Sequence, residues 1–378
     1  MAIRSTHLMA IHRTQRRIHV NIRRKTLYLM ALVLAAAGLM LGALGPAVQA
    51  GPATTTLTGA GATFPYPIYS KWFDMYHQKT GIEINYQSIG SGGGIQQVKA
   101  GTVDFGASDA ALSDARLKEM PRRVLHFPTV AGAVVMAYNL PSLKQPLRLT
   151  SDVIAGIYMG QVTTWNDKRV AAANPGVALP AAPILPVHRS DGSGTTNIFT
   201  TYLSAVSGPW KEMVGANTSV SWPVGIGGKG NEGVSGLVRQ TQGSIGYIEL
   251  AYAKQNRLPV AHVRNKSGSF VEPTLASTTA AAEGASPLLA KDVRTPIVNS
   301  SAPTAYPICG LTFLLVYQDQ KDPAKGHALA TFIDWAIHEG QDVAASLDYA
   351  RLPEAVVKVN EMTLRKLTVA GKPLLADR

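Results

Sequence analysis

At three places a short apolar or β-branched run ends in a loop of small residues that opens into a segment of helical period, and this recurrence predicts an α/β chain with a largely parallel sheet. Thr54 to Thr58 reads as a strand, Gly59 to Thr63 as its loop, and Phe64 to Lys79 as a helix with Ile68, Trp72, Phe73 and Tyr76 on one face. Ile82 to Gln87, Gly90 to Gly94 and the helix running on to Ala100 repeat the unit. Ile184 to His188 followed by Asp191-Gly192-Ser193-Gly194-Thr195 and a helix through Leu203 is the third. Between them, Val103 to Ala107 predicts a strand ending at Ser108-Asp109, Ala131 to Asn139 a long apolar strand, and Thr150 to Met159 a helix. Ligands of such sheets gather at the carboxyl ends of the strands. A helix start adds unpaired N–H groups and the positive end of a dipole, which suit an anion. Taken singly, a glycine or serine before a helix is also an ordinary turn and cap.

The N-terminus is a separate object. Met1 to Lys25 holds seven basic residues and no acidic one, Leu27 to Leu44 is apolar, and Val48-Gln49-Ala50 supplies the small residues of a cleavage site. This is the pattern of a secretory leader, with the remaining chain beginning near Gly51; a single membrane anchor is the alternative. The leader accounts for seven of the charges in the whole-chain balance of +12, so the rest is only mildly basic and nucleic acid drops out as a partner. Cys309 is the only cysteine, so no internal disulfide forms, and its apolar surroundings predict an inert buried thiol. What remains of the 378 residues is too long for one ordinary core and predicts about two domains.

Several longer motifs then go together: GAGATFPYPIYSKW at 59–72, GIEINYQSIGSGGG at 81–94, TVDFGASDA at 102–110, RSDGSGTT at 189–196, WPVGIGGKGNEGV at 222–234, GSIGYIELAYAKQN at 243–256 and LDYARLP at 347–353. In these the chain resembles the periplasmic phosphate-binding proteins of ABC uptake systems. The resemblance implies a periplasmic-binding-protein fold of two α/β lobes joined by a hinge, with one phosphate held between them by hydrogen bonds alone, and with neither metal nor cofactor. It implies a monomer that delivers phosphate to membrane permease subunits. Carried over by position, Thr63 and Phe64 supply donors from the first loop and Ser91 from the second. Arg189 forks to the phosphate oxygens, Ser193, Gly194 and Thr195 donate from the third helix start, and Asp191 holds Arg189 in place. Asp109 is the selective group. The lobes fall at 51–131 with 306–378, and at 132–305.

Chemistry supports a role for Asp109. Phosphate at neutral pH keeps a proton that sulfate lacks, so a buried carboxylate accepts a hydrogen bond from one and meets only lone pairs on the other, a mismatch worth about 10⁴ in discrimination. The local alternatives are a helix cap for Asp109 and an ion pair with Asp191 for Arg189. A binder of another tetrahedral oxyanion remains a rival, as does a phosphate-releasing hydrolase, although HExxH, CxxC, GxxxxGK[ST] and GxSxG motifs are all absent. The Gly-rich stretch 225–236 fits either a loop near the hinge or another rim of the site. Lys266 to Thr304 is expected to be a surface excursion of loops with one helix.

Overall fold

The computed structural model describes residues 55–375; the basic leader, the apolar run and the expected cleavage site lie outside the described residues. The first unit is β1 (Thr56–Gly61) and α1 (Tyr66–Thr80). Along α1 the residues Ile68, Tyr69, Trp72, Phe73 and Tyr76 are buried, the three- and four-residue spacing of a single stripe. Full burial of a side chain the size of Trp72 contributes roughly 2–3 kcal/mol, and its Nε1–H donates to the Gly340 carbonyl at 2.7 Å. The helix stops at Gly81, which takes φ 74°, a left-handed C-cap that an L side chain resists.

β2 (Glu83–Ser88), α2 (Ser91–Ala100) and β3 (Phe105–Ser108) follow, then β4 (Val124–Tyr138), β5 (Leu185–Arg189) and α3 (Gly194–Val206). The glycine run after β2 is not a loop, because α2 begins at Ser91 and runs through it. The 225–236 stretch resolves into a fourth strand–turn–helix unit, β6 (Ile226–Gly228) and α4 (Gly230–Gln240). β7 (Ser244–Glu249), α5 (Leu250–Gln255) and α6 (Leu275–Leu289) come next, and β8 (Cys309–Tyr317), α7 (Pro323–Ile337) and α8 (Glu354–Leu364) complete the main elements. Helix α6 is more than a surface excursion, since Ala281, Ala282 and Leu289 on it are fully buried.

These eight strands form one sheet in the order β2-β1-β3-β8-β4-β7-β5-β6. Its outer strands are parallel, β2 and β3 to β1 and β6 and β7 to β5, while β8 and β4 run antiparallel to their neighbours at the centre. β4 is buried along its whole length and changes partner midway: it pairs with β8 as far as Ala133 and with β7 from Val134 onward. It starts seven residues before the predicted Ala131. Pro128, which has no N–H to give a ladder, lies where the register slips between Thr312 and Phe313. The bulge leaves Thr129 unpaired, and its neighbourhood is satisfied by side chains: Asn360 Nδ2 donates to the Pro128 carbonyl at 2.8 Å and Gln341 Nε2 to that of Thr129 at 2.9 Å.

Candidate functional site

The parallel strands β1, β3 and β5 end near one another, and the loops and helix starts that follow them carry a connected set of buried polar groups. Ser91 opens α2 and is fully buried. Its Oγ accepts from the Asp109 N–H at 3.3 Å and from the Gly194 N–H, at the start of α3, at 3.0 Å. One serine thus ties the end of β3 to the start of a helix about a hundred residues later. Gly194 lies so close to Asp109 that a Cβ there would be 2.6 Å from the aspartate Cβ, so only glycine permits this contact.

Asp109 is 5% exposed. Burial lifts its carboxyl to about 7, against the opposing effects of a hydrogen bond from Thr312 and of the Arg189 charge. The Thr312 Oγ1–H donates to Oδ1 at 2.8 Å. Sequence reading missed Thr312, because it sits in an otherwise apolar strand. The β4 bulge is beside it: the Thr129 hydroxyl donates to the Thr312 carbonyl at 3.3 Å and lies 2.9 Å from the Tyr69 hydroxyl.

Arg189 ends β5, with its side chain 1% exposed. Its Nε and Nη2 reach Asp191 Oδ1 and Oδ2 at 2.7 and 2.5 Å. The full fork is therefore spent on Asp191, leaving the Nη1 edge and the second Nη2 hydrogen for an anion. Nη1 also reaches Thr195 Oγ1 at 3.4 Å. Burial raises the Asp191 carboxyl, but the Arg189 fork and the Gly230 N–H outweigh it, and the net direction is down. The Gly230 N–H donates to Asp191 Oδ1 at 3.0 Å, so the start of α4 joins the cluster.

Ser193 caps α3, its Oγ accepting from the Thr196 N–H at 3.0 Å, and its own N–H goes to the Thr218 carbonyl at 2.8 Å. The hydroxyl hydrogen is what Ser193 has left to offer. Phe64 is buried; its carbonyl accepts from the Tyr349 hydroxyl at 2.6 Å, and its ring meets Tyr349 edge-on at 6.3 Å. Thr63 is buried too, and the Tyr252 hydroxyl donates to its carbonyl at 2.6 Å. Asn231, which sequence reading also missed, reaches both Thr63 Oγ1 at 2.8 Å and Thr195 Oγ1 at 3.2 Å through Nδ2. The site thus gathers hydroxyls, N–H groups and a guanidinium around the Asp109 carboxyl, with the Asp191 carboxylate held by Arg189, a constellation suited to an oxyanion that keeps one proton.

Residues 46–339 match the PBP superfamily domain PBP_like_2. The chain is 47% identical to the phosphate-binding protein PstS of Pasteurella multocida over 304 residues, 80% of this chain and 88% of that one. It is 45% identical to the phosphate-binding protein PstS of Haemophilus influenzae over 320 residues, 84% and 94% of the two chains. Its fold resembles the crystal structure of a phosphate-binding protein from Stenotrophomonas maltophilia, with a TM-score of 0.63 and 19% identity across 85% of this chain and 96% of that one.

Proposed function

The chain belongs to the phosphate-binding PstS family of the PBP superfamily, and on that premise we propose that it captures inorganic phosphate between two lobes and hands it to the permease subunits of a membrane ABC transporter. The observation that carries the reading is Asp109, a buried carboxyl among buried donors. Once ionised, it accepts the hydrogen bond of a protonated oxyanion, whereas a fully ionised one such as sulfate gives it no hydrogen to accept and sets two negative charges in contact. Thr63, Phe64, Ser91, Asp109, Arg189, Ser193 and Thr195 form the ligand shell; Gly194 lines it with its N–H given to Ser91 Oγ rather than to the anion, and Asp191 orients Arg189. The function is binding rather than turnover, in keeping with the name of the relatives.

The lobes are 51–131 with 306–378, and 132–305. The change of β4 partner at Ala133 and Val134 supports this division, as does the Val134 N–H bond to the Ile308 carbonyl at 2.8 Å where the chain returns. Donors from both lobes reach one ligand only when the lobes close, so affinity depends on how readily they close. The basic, apolar and small-residue segments of 1–50 support export to the periplasm and removal of the leader.

Titration calorimetry on protein stripped of anions tests the function. Tight phosphate binding that sulfate does not displace is the expected result, and Asp109→Asn should weaken discrimination more than affinity. Equal displacement by sulfate would refute the reading. Sustained phosphate release from a generic phosphomonoester would favour a hydrolase instead.

A further inference from the structure

We infer that Asn231 is a positioning residue that fixes the direction of the Thr63 and Thr195 hydroxyls, turning both hydrogens toward the ligand. The assignment rests on the phosphate-binding reading and gives that site the reason for its polarity. A threonine hydroxyl has one hydrogen and two acceptor positions. At Thr63 both acceptor positions are filled by Asn231, through its backbone N–H at 3.2 Å and Nδ2 at 2.8 Å. At Thr195 both are filled as well, by Asn231 Nδ2 at 3.2 Å and Arg189 Nη1 at 3.4 Å. Each hydroxyl hydrogen is then left only to donate. Ser91 reaches the same condition through backbone N–H groups of Asp109 and Gly194.

Asn231 has no freedom to reverse this. It is fully buried, and its Oδ1 accepts from the Glu249 N–H at 2.9 Å. A flipped amide would set its NH₂ against that N–H and its oxygen between the two threonines, which would draw their hydrogens away from the ligand. The same side chain spans the two proposed lobes, since Thr63 follows β1 and Thr195 lies in α3. One amide thus sets the polarity of both threonines and bridges the proposed lobes.

A double-mutant cycle read by phosphate calorimetry tests this. Asn231→Ala should lower phosphate affinity about 10- to 100-fold in the native background, since two donors lose their enforced direction. In a Thr63→Val background the loss should shrink by threefold or more, because one of the hydroxyls through which Asn231 acts is gone. A purely structural role predicts equal losses in the two backgrounds, and a ratio below threefold overturns the assignment. Asn231→Asp supports the same cycle if the alanine variant does not fold, because it keeps the acceptor for the Glu249 N–H while replacing the donors. A native protein that binds no phosphate fails the earlier reading and this one with it; native binding without coupling overturns only this one.

Discussion

Gly92 and Gly192 meet backbone to backbone: the Gly92 N–H donates to the Gly192 carbonyl at 2.8 Å, and a Cβ on Gly92 would stand 2.9 Å from the Gly192 Cα. Gly92 lies in α2, where alanine favours the helix by up to about 1 kcal/mol over glycine. Gly92→Ala should therefore leave the ligand-free melting temperature level or raised while phosphate affinity falls about tenfold, as the two proposed lobes are held apart. Calorimetry beside thermal melts checks it, and undiminished affinity would show that the contact is dispensable for closure.

Thr312→Val removes the hydroxyl that reaches Asp109 Oδ1. A buried acceptor left without its partner costs about 1–3 kcal/mol, so the ligand-free protein should lose stability by about that amount in thermal or denaturant melts. The Thr312 bond holds the Asp109 carboxyl down, so the variant should also titrate Asp109 above about 7, visible in carboxyl ¹³C shifts. An unchanged midpoint would contradict this account.

Asp109 also sets a slope of stability with pH. Its native carboxyl sits at about 7, above the unfolded value of 3.8. The native state therefore holds the extra proton, and the stability Asp109 contributes is complete below the unfolded value and lost as pH rises through 7. Asp109→Asn should be more stable than the native chain by an amount that grows across this window, to on the order of 4 kcal/mol, and then levels off. Ligand-free melts at pH 5 and 8 giving the same difference would count against it.

His126 acts in the opposite sense. Burial, helped by the Arg294 charge, pushes its imidazole down to about 4, and Nε2 accepts from the Leu112 N–H at 2.9 Å. Stability from a base held neutral is present above the unfolded value of 6.5 and lost as pH falls through 4. His126→Gln should thus abolish acid sensitivity between those values. Because the Asp109 and His126 slopes oppose one another over much the same range, native melting temperatures should change less with pH than those of either variant.

Taken locally, Asp109 reads equally as a helix cap and Arg189 as half of an ion pair, so Ser91, Asp109 and Arg189 are legible as one site through the longer motifs that resemble the phosphate-binding proteins. Thr312 was hidden by CGLTFLLVY, which reads as core, and its meeting with Asp109 depends on register near a bulge. Asn231 was hidden for the opposite reason: in a Gly-rich stretch the strand is only three residues long, too short for periodicity to reveal the helix that follows. β4 begins at Val124 rather than the expected Ala131 and runs through Pro128, which the bulge accommodates. Helix α6 carries Pro287 and an Ala/Ser/Thr-rich sequence, so its buried face depends on fit against the sheet more than on hydrophobic contrast.

The placement of β8 bears on the order in which the chain assembles. β3 finds its inner neighbour in Cys309–Tyr317, some two hundred residues downstream, and the first half of β4 has the same partner. The early strands therefore emerge from synthesis with an open edge that nothing nearby in sequence can cover. Loop closure over such a span slows folding, and an uncovered edge invites pairing with other chains. Truncation before residue 309 should consequently yield aggregation rather than a smaller folded protein. A chain that cannot complete its sheet until nearly all of it is present stays incompletely folded until late in its own synthesis.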